Sequence, residues 1–162
     1  MTSPEADRKA VHEMTQPANA PAKVIVGVDG SPESVAALRY AATISRALGH
    51  HLEVLGAWQP RVALEHYTAE WNPERDARIL VDEVVKEAFG HQVPDGLQVN
   101  VLKGSPVRVL LDASKYAELL VLGTRGRGGF AGMVLGSVST SLAAHASCPV
   151  LIHHDRTISD AT

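Results

Sequence analysis

The sequence predicts an α/β fold, a doubly wound, five-stranded parallel sheet with helices on both faces. Short apolar runs typical of buried strands alternate along the chain with longer segments of helical periodicity. Strands that alternate with helices usually form parallel sheets joined by right-handed crossovers. Several of the helical segments also open on a capping residue followed by proline, which favours a helix start. These openings are Ser31-Pro32, Asn72-Pro73 and Ser105-Pro106.

The predicted strands are short and rich in valine, leucine and isoleucine. The apolar runs 23-KVIVGVDG-30 and 118-ELLVLG-123 indicate buried strands, which we expect to be neighbours at the centre of the sheet. The run 97-LQVNVLKG-104 alternates apolar and polar residues, which indicates an edge strand. Two further strands are predicted at 51–58 and 149–154, the latter also at an edge.

The predicted helices follow from caps and from apolar spacing. The first begins after Ser31 and ends at Gly49, because glycine readily adopts the left-handed conformation that ends a helix. The second runs from Pro73 to about Phe89. The remaining helices are predicted over 107–116 and 137–147.

The composition limits the classes of function. Hydrophobic residues make up 45% of the 162 residues and charged residues 20%, which is typical of a soluble globular domain. The formal net charge of −3 argues against a nucleic acid as the main partner, because phosphate backbones are bound by clustered lysine and arginine. No apolar run approaches the roughly 20 residues of a membrane span, and no secretory signal is visible. Cys148 is the only cysteine, so a reducing cytoplasm is the expected location.

One domain is predicted at 23–154, between two tails. Residues 1–22 contain no leucine, isoleucine or aromatic residue. They cannot bury enough apolar area to offset the entropy of ordering, so we expect a disordered tail. Folding of this tail on a partner is the alternative. Residues 155–162 are expected to form a polar C-terminal tail.

A glycine-rich segment, 123-GTRGRGGFAGMVLGSVST-140, follows the fourth predicted strand. If the first and fourth strands are neighbours, the ligand crevice of such a sheet lies between 27-GVDG-30 and 123-GTRG-126. Glycines with positive φ could direct backbone N–H groups inward as an anion nest. Gly136-Ser137 indicates a helix start, which favours phosphate, and Arg125 and Arg127 could screen its charge. The segment therefore predicts a site for a phosphorylated ligand.

The alternative for this segment is a flexible surface loop whose glycines only form turns. Its position after a buried strand and before a helix favours the phosphate site. Two known phosphate motifs fit poorly. A Walker A loop needs a lysine directly before Ser137, and this sequence has Gly136 there. The stretch 126-GRGGFA-131 matches a dinucleotide fingerprint that belongs to the first strand–helix turn, so this match is treated as accidental.

The spacing Gly123-x2-Gly126-x9-Gly136-Ser137 resembles the nucleotide-binding signature of the universal stress protein family. The resemblance extends in the expected order over about residues 22–154, through the segments 24–41, 104–114 and 136–152. It implies a Rossmann-like domain that binds ATP or a related adenine nucleotide, which Mg²⁺ or Mn²⁺ could accompany. It also implies a homodimer.

The resemblance further implies which residues bind the nucleotide. Asp29 would accept a hydrogen bond from the adenosine part, Gly27 would line the adenine pocket, and Ala57 would lie against the base. The ribose and phosphates would lie against Leu122, Gly123, Arg125, Gly126, Gly136, Ser137 and Val138. Asp29 has an alternative role, which is to cap the following helix or order the turn Gly30-Ser31-Pro32. No catalytic residue and no metal site is predicted.

Other features have simpler interpretations. Trp58 is expected in the core or at a dimer surface rather than stacked on a base. Adjacent residues of a strand point to opposite faces, so neither His50-His51 nor His153-His154 chelates a metal by itself. Cys148 is expected to be a small buried hydrophobe. The apolar edge strand 149–154 predicts a homodimer, because pairing across a two-fold axis, as in relatives, would satisfy its backbone groups.

Three functions remain open. The first is a dimeric stress-response or regulatory module that binds ATP or a related adenine nucleotide. The second is a slow ATPase or an enzyme that phosphorylates itself on Ser137 or a nearby threonine. Apart from Asp29, no general base or Mg²⁺ carboxylate stands near the loop, which favours binding. The third is a nucleotide-free dimer that acts through protein contacts, which a crevice filled by Trp58 or Phe130 would support.

Overall fold

The computed structural model describes residues 21–60, 72–127 and 134–155. Much of both predicted tails, at 1–20 and 156–162, lies outside the described residues, as does Phe130. The elements are β1 (Lys23–Gly27), α1 (Pro32–Leu48), β2 (His51–Trp58), α2 (Pro73–Phe89), β3 (Gln98–Lys103), α3 (Pro106–Ser114), β4 (Leu119–Gly123), α4 (Ser137–His145) and β5 (Val150–His153). The predicted order of strands and helices is confirmed, and element ends differ from the prediction by a few residues.

All strands of the sheet are parallel, in the order β3-β2-β1-β4-β5. β1 lies beside β4 at the centre, with Val26 opposite Val121. β3 and β5 form the two edges, as their sequences predict. The chain runs outward from β1 through β2 to β3 and then returns to β4 on the other side of β1, so the strand order reverses between β1 and β4. This is the switch point at which such sheets bind ligands.

Helices cover both faces of the sheet, so the predicted fold class is confirmed. Successive residues of β1 face opposite sides because side chains alternate along a strand. Val24 and Val26 pack under α1 and α2, together with Val35, Leu38, Val81 and Val84. Ile25 packs on the other side under α3 and α4, together with Leu110, Ala113, Leu120 and Leu142. Within the described ranges, no helix is long and apolar enough to cross a membrane.

The first three helices begin at side-chain caps. The backbone N–H of Ser34 donates to Ser31 Oγ at 3.2 Å, and that of Arg75 donates to Asn72 Oδ1 at 3.0 Å. The N–H of Arg108 donates to Ser105 Oγ at 3.4 Å. Each cap is followed by proline, which lacks the N–H that would otherwise be unpaired. The predicted starts of α1, α2 and α3 are therefore confirmed in detail.

A buried carboxylate lies among the first three strands. Glu53 is 2% exposed, and its Oε2 is 2.7 Å from Lys23 Nζ. Asn100 Nδ2 donates to the other oxygen, Oε1, at 3.0 Å. A buried charge is tolerated when it is paired and hydrogen-bonded, and here both oxygens have partners. Lys23 is the first residue of β1, so this cluster lies away from the carboxyl ends of the strands.

Candidate functional site

A cavity of about 530 Å³ opens at the carboxyl ends of β1, β2 and β4. It lies at the switch point, where the topology predicts a ligand site. All of the residues predicted above for the ligand line this one cavity. They are Gly27, Asp29, Ala57, Leu122, Gly123, Arg125, Gly126, Gly136, Ser137 and Val138. The fold thus brings together residues that the sequence separates widely.

The helices α2 and α3 contribute walls of the cavity that were not predicted from the sequence. Ala77, Leu80 and Val81 of α2 line the cavity on one face of the sheet, and Pro106, Val109 and Leu110 of α3 line it on the other. A helix that follows a parallel strand begins beside the carboxyl end of that strand. Its sheet-facing residues in the first turns must therefore flank the crevice. The i, i+3, i+4 spacing of the α2 residues indicates that they share one face of the helix, and this spacing could have predicted the wall.

Two glycines of the signature are required by close approach of other parts of the protein. A Cβ on Gly123 would lie 2.9 Å from Glu33 Cβ and 3.0 Å from the carbonyl atoms of Glu33. A Cβ on Gly126 would overlap the Asp29 carboxylate. Both positions therefore need glycine whether or not a ligand is bound, because a side chain would displace α1 or Asp29.

The described glycines of the signature do not use left-handed backbone. Positive φ occurs at Gly30, Gly49, Gly90, Gly96 and Gly104 among the described residues, and at none of Gly123, Gly126 and Gly136. The expectation that positive φ shapes an anion nest is therefore wrong for these three positions. The physical reason for glycine at the first two is contact distance, and the remaining loop glycines lie outside the described residues.

The helix α4 begins at the cavity without a side-chain cap. Its N-cap, Gly136, has φ −71° and ψ 163°, and as a glycine it has no side chain that could accept a hydrogen bond from the first turn. Ser137 and Val138 follow and line the cavity. A helix N-terminus carries unpaired N–H groups and partial positive charge. This turn can therefore donate backbone hydrogen bonds to an anion.

Hydrogen bonds fix the start of α4 against the end of β4. The buried hydroxyl of Ser139 donates to the carbonyl of Gly123 at 2.7 Å. The N–H of Gly136 donates to the carbonyl of Thr124, also at 2.7 Å. A Cβ on Gly136 would have its nearest contact, Arg125 Cα, at 3.4 Å. Unlike the other two signature glycines, Gly136 thus has space for a small side chain.

Asp29 joins the end of β1 to two other segments. Its Oδ1 accepts from the Ser31 backbone N–H at 3.0 Å and from Ser31 Oγ at 2.6 Å. Its Oδ2 accepts from the backbone N–H of Arg127 at 2.7 Å. The alternative role, ordering the turn before α1, is therefore confirmed. A carboxylate has about four lone-pair sites, so these bonds leave room for a ligand donor, and direct contact with adenosine stays a prediction.

Two arginines contribute positive charge. Arg125 is half-buried, Arg127 is exposed, and both line the cavity. The Arg127 guanidinium lies beside Gly30, where an added Cβ would be 2.9 Å from Nη2 and 3.1 Å from Leu80 Cδ1. The side chain of Arg127 therefore extends from the glycine-rich segment towards α2. The resemblance selected Arg125 alone, because the position of Arg127 depends on contacts distant in sequence.

Residues outside the cavity have other surroundings. Trp58 packs against the core under α1 and α2, and the Lys103 ammonium is 6.0 Å from its ring centroid. The His153 ring lies 4.9 Å from that of Tyr40. Cys148 is half-buried, and burial raises the pKa of its thiol. No group of three or more histidine, cysteine or acidic side chains within 21–60, 72–127 and 134–155 is arranged to hold a metal.

Known proteins that are similar to this chain belong to the family that its loop signature resembles. Residues 22–154 match the model of the universal stress protein family. The chain is 34% identical over 140 residues to universal stress protein Rv2623 of Mycobacterium tuberculosis (strain ATCC 25618 / H37Rv), covering 82% of this chain and 47% of that protein. The chain therefore spans about half the length of this curated relative.

Solved structures agree with the family match. One is a universal stress protein in complex with cAMP, at 28% identity and TM-score 0.64, covering 84% of this chain and 99% of that one. UspA from Lactobacillus plantarum shares the fold at 21% identity and TM-score 0.65, covering 83% and 99%. With a family model that matches most of its length and a relative this similar, the chain belongs to the universal stress protein family.

Proposed function

We propose that this protein binds ATP or a related adenine nucleotide in the cavity and acts as a dimeric stress-response or regulatory module. The observation that carries the proposal is the uncapped start of α4, which lies in the same cavity as apolar walls from α2 and α3. An anion-binding end beside an apolar compartment matches a ligand with phosphates and a planar base.

The phosphates are assigned to the glycine-rich end of the cavity. Backbone N–H groups of Ser137 and Val138 and the Ser137 hydroxyl would donate to phosphate oxygens. Arg125 would add positive charge, Gly123 would flank the ribose and phosphates, and Gly126 would stand beside the phosphates. Mg²⁺ or Mn²⁺ bound to the phosphates would reduce their mutual repulsion. Asp29 is the nearby carboxylate, and its hydrogen bonds to Ser31 and Arg127 support a role in organising the site.

The base is assigned to the apolar compartment. Ala57 ends β2 with a small side chain, and Val109 and Leu110 of α3 line the same space. Gly27 lets Leu110 and Leu122 approach the end of β1, since a Cβ there would lie 2.8 Å from Leu122 Cδ2. Support also comes from the relative at 28% identity, which was solved with cAMP, a nucleotide that contains adenine.

The dimer is assigned to β5. This edge strand pairs with β4 on one side, and all of its residues are only half-buried. An exposed apolar edge favours pairing with a second strand, so a second copy would satisfy its remaining backbone groups. Light scattering at micromolar protein should give a dimeric mass, and Ile152→Lys should shift it towards the monomer. A monomeric mass for the unaltered chain would contradict this part of the proposal.

The two alternative functions receive less support. ATP hydrolysis or self-phosphorylation needs groups that orient the nucleophile and the metal. Asp29 is the one carboxylate that lines the cavity among the described residues, and it already accepts three hydrogen bonds. A nucleotide-free dimer would be favoured by a filled crevice. Trp58 packs on the core instead, and a cavity of about 530 Å³ remains.

The test is calorimetric titration of MgATP, AMP, cAMP and adenosine into protein freed of nucleotide. We expect a micromolar Kd for at least one adenine nucleotide. Ala57→Phe should weaken binding about tenfold or more, because the ring would occupy the base compartment. Ala144→Phe, at an exposed position of α4, is the matched control. Absence of binding by the unaltered protein would refute the nucleotide proposal.

A further inference from the structure

One carboxylate oxygen holds the backbone of the glycine-rich segment in place. Asp29 Oδ2 accepts from the Arg127 N–H at 2.7 Å, across 98 residues of sequence. Gly126 approaches the same oxygen more closely than a residue with a side chain could. Oδ1 is held separately by Ser31. The Asp29 side chain is therefore oriented from one side by the turn before α1 and fixes Arg127 on the other.

The Arg127 side chain extends from this fixed backbone across one wall of the cavity. Its guanidinium lies against Gly30 and is near Leu80 of α2. The helices α1 and α2 cover one face of the sheet, and α3 and α4 cover the other. Positive charge therefore reaches the cavity from both faces, as a guanidinium beside α2 and as the N-terminus of α4.

We propose that Asp29 positions Arg127, and that Arg127 makes the site selective for nucleotides that carry several phosphates. This rests on the proposed nucleotide binding. A single phosphate held by the first turn of α4 has no second phosphate to present to the guanidinium. In this proposal a di- or triphosphate engages both groups, and guanidinium–phosphate hydrogen bonds are charge-assisted and strong. In this assignment Arg127 contacts the phosphates and Asp29 positions Arg127, in addition to the contact with adenosine predicted for Asp29.

The experiment combines two variants with a series of ligands. ATP, ADP, AMP and adenosine are titrated into the unaltered protein, Asp29→Asn and Arg127→Ala. Asn retains the size of Asp29 but replaces one acceptor oxygen by a donor, so it cannot reproduce both sets of bonds. Arg127→Ala keeps the backbone N–H and removes only an exposed side chain. Arg46→Ala, at an exposed position of α1 outside the cavity lining, is the matched control.

The expected result is a loss that grows with phosphate number. Arg127→Ala should weaken ATP binding about tenfold or more, AMP binding less, and adenosine binding not at all. Asp29→Asn should also weaken ATP binding more than adenosine binding, on top of any equal loss for all four ligands from the predicted contact of Asp29 with adenosine. The double variant should bind ATP no more weakly than the weaker-binding of the two single variants. Both changes disrupt the same Asp29–Arg127 arrangement, so their effects should not add. Arg127→Lys should retain part of the preference for ATP.

Other results overturn the proposal. An unchanged ATP affinity in Arg127→Ala would remove the role of the guanidinium. An adenosine affinity that falls as far as that of ATP in Asp29→Asn would show that Asp29 acts only through the nucleoside and does not position Arg127. If Asp29→Asn fails to fold, the ligand profile of Arg127→Ala decides alone. A chain that binds no nucleotide at all would refute the proposed function itself, which the unaltered protein reveals first.

Discussion

The start of α4 differs from the starts of α1, α2 and α3. Those three helices have a serine or asparagine cap followed by proline, and each cap accepts a backbone hydrogen bond. α4 has glycine at the same position and no such bond. The cavity is lined by the first turn of α4. A helix start can therefore be completed by the side chain of its own N-cap or be left available to a ligand.

The change with the largest expected effect gives α4 the cap that the other helices have. Gly136 has the extended backbone of an N-cap and space for a small side chain. Gly136→Asp should weaken ATP binding about 100-fold or more, because the carboxylate takes the N–H groups and repels phosphate. Stability should rise slightly, by about 0.3 kcal/mol. Titration and thermal unfolding measure the two effects.

Gly136→Asp adds both a capping oxygen and a negative charge, and Gly136→Ser adds the capping oxygen alone. Gly136→Ser should show the same small gain in stability with a smaller loss of affinity. A fall in both affinity and stability for either variant would mean that the backbone has moved. The expectation that ATP affinity falls while stability rises would then be refuted.

The second change tests a signature glycine that the fold itself requires. Gly123→Ala should destabilise the protein by about 1–3 kcal/mol, because the new methyl group meets backbone atoms of Glu33 in α1. Urea unfolding measures the loss. An unchanged midpoint would show that α1 shifts freely, and the contrast between Gly123 and Gly136 would then disappear.

The third change removes a side-chain cap. Ser31→Ala should lower the free energy of unfolding by about 1–2 kcal/mol, since Ser31 caps α1 and also bonds Asp29. Asn72→Ala loses only the cap of α2 and should cost about 1 kcal/mol. ATP affinity should fall in Ser31→Ala and stay constant in Asn72→Ala. Equal stability losses and equal affinities would contradict the link through Asp29.

The smallest effect expected is that of salt. Raising the ionic strength should weaken ATP binding a few-fold, because exposed charges such as Arg127 are screened. Adenosine carries no phosphate, so its affinity should be nearly independent of salt. Titrations of both ligands at low and high salt make the comparison. An equal salt dependence would argue that the phosphates do not lie near these charges.

Local patterns were sufficient to predict most of the fold. The cap-plus-proline pairs located three helix starts, and the apolar runs located the strands and the central pair. The family signature selected residues that share one cavity. The contacts of Gly123 with Glu33 and of Asp29 with Arg127 could not be predicted in this way. They depend on distances between elements, which a local pattern does not contain.

The Asp29–Arg127 hydrogen bond also has a consequence for the order in which the chain folds. Its partners are 98 residues apart, so the bond cannot form until β4 has been synthesised and paired with β1. Contacts of such long sequence separation form late, after their loop-closure entropy has been overcome. A growing chain on the ribosome could thus assemble β1, α1 and β2 before the residues that complete the cavity have been synthesised. Partly synthesised molecules would therefore lack the complete site that is proposed for the nucleotide.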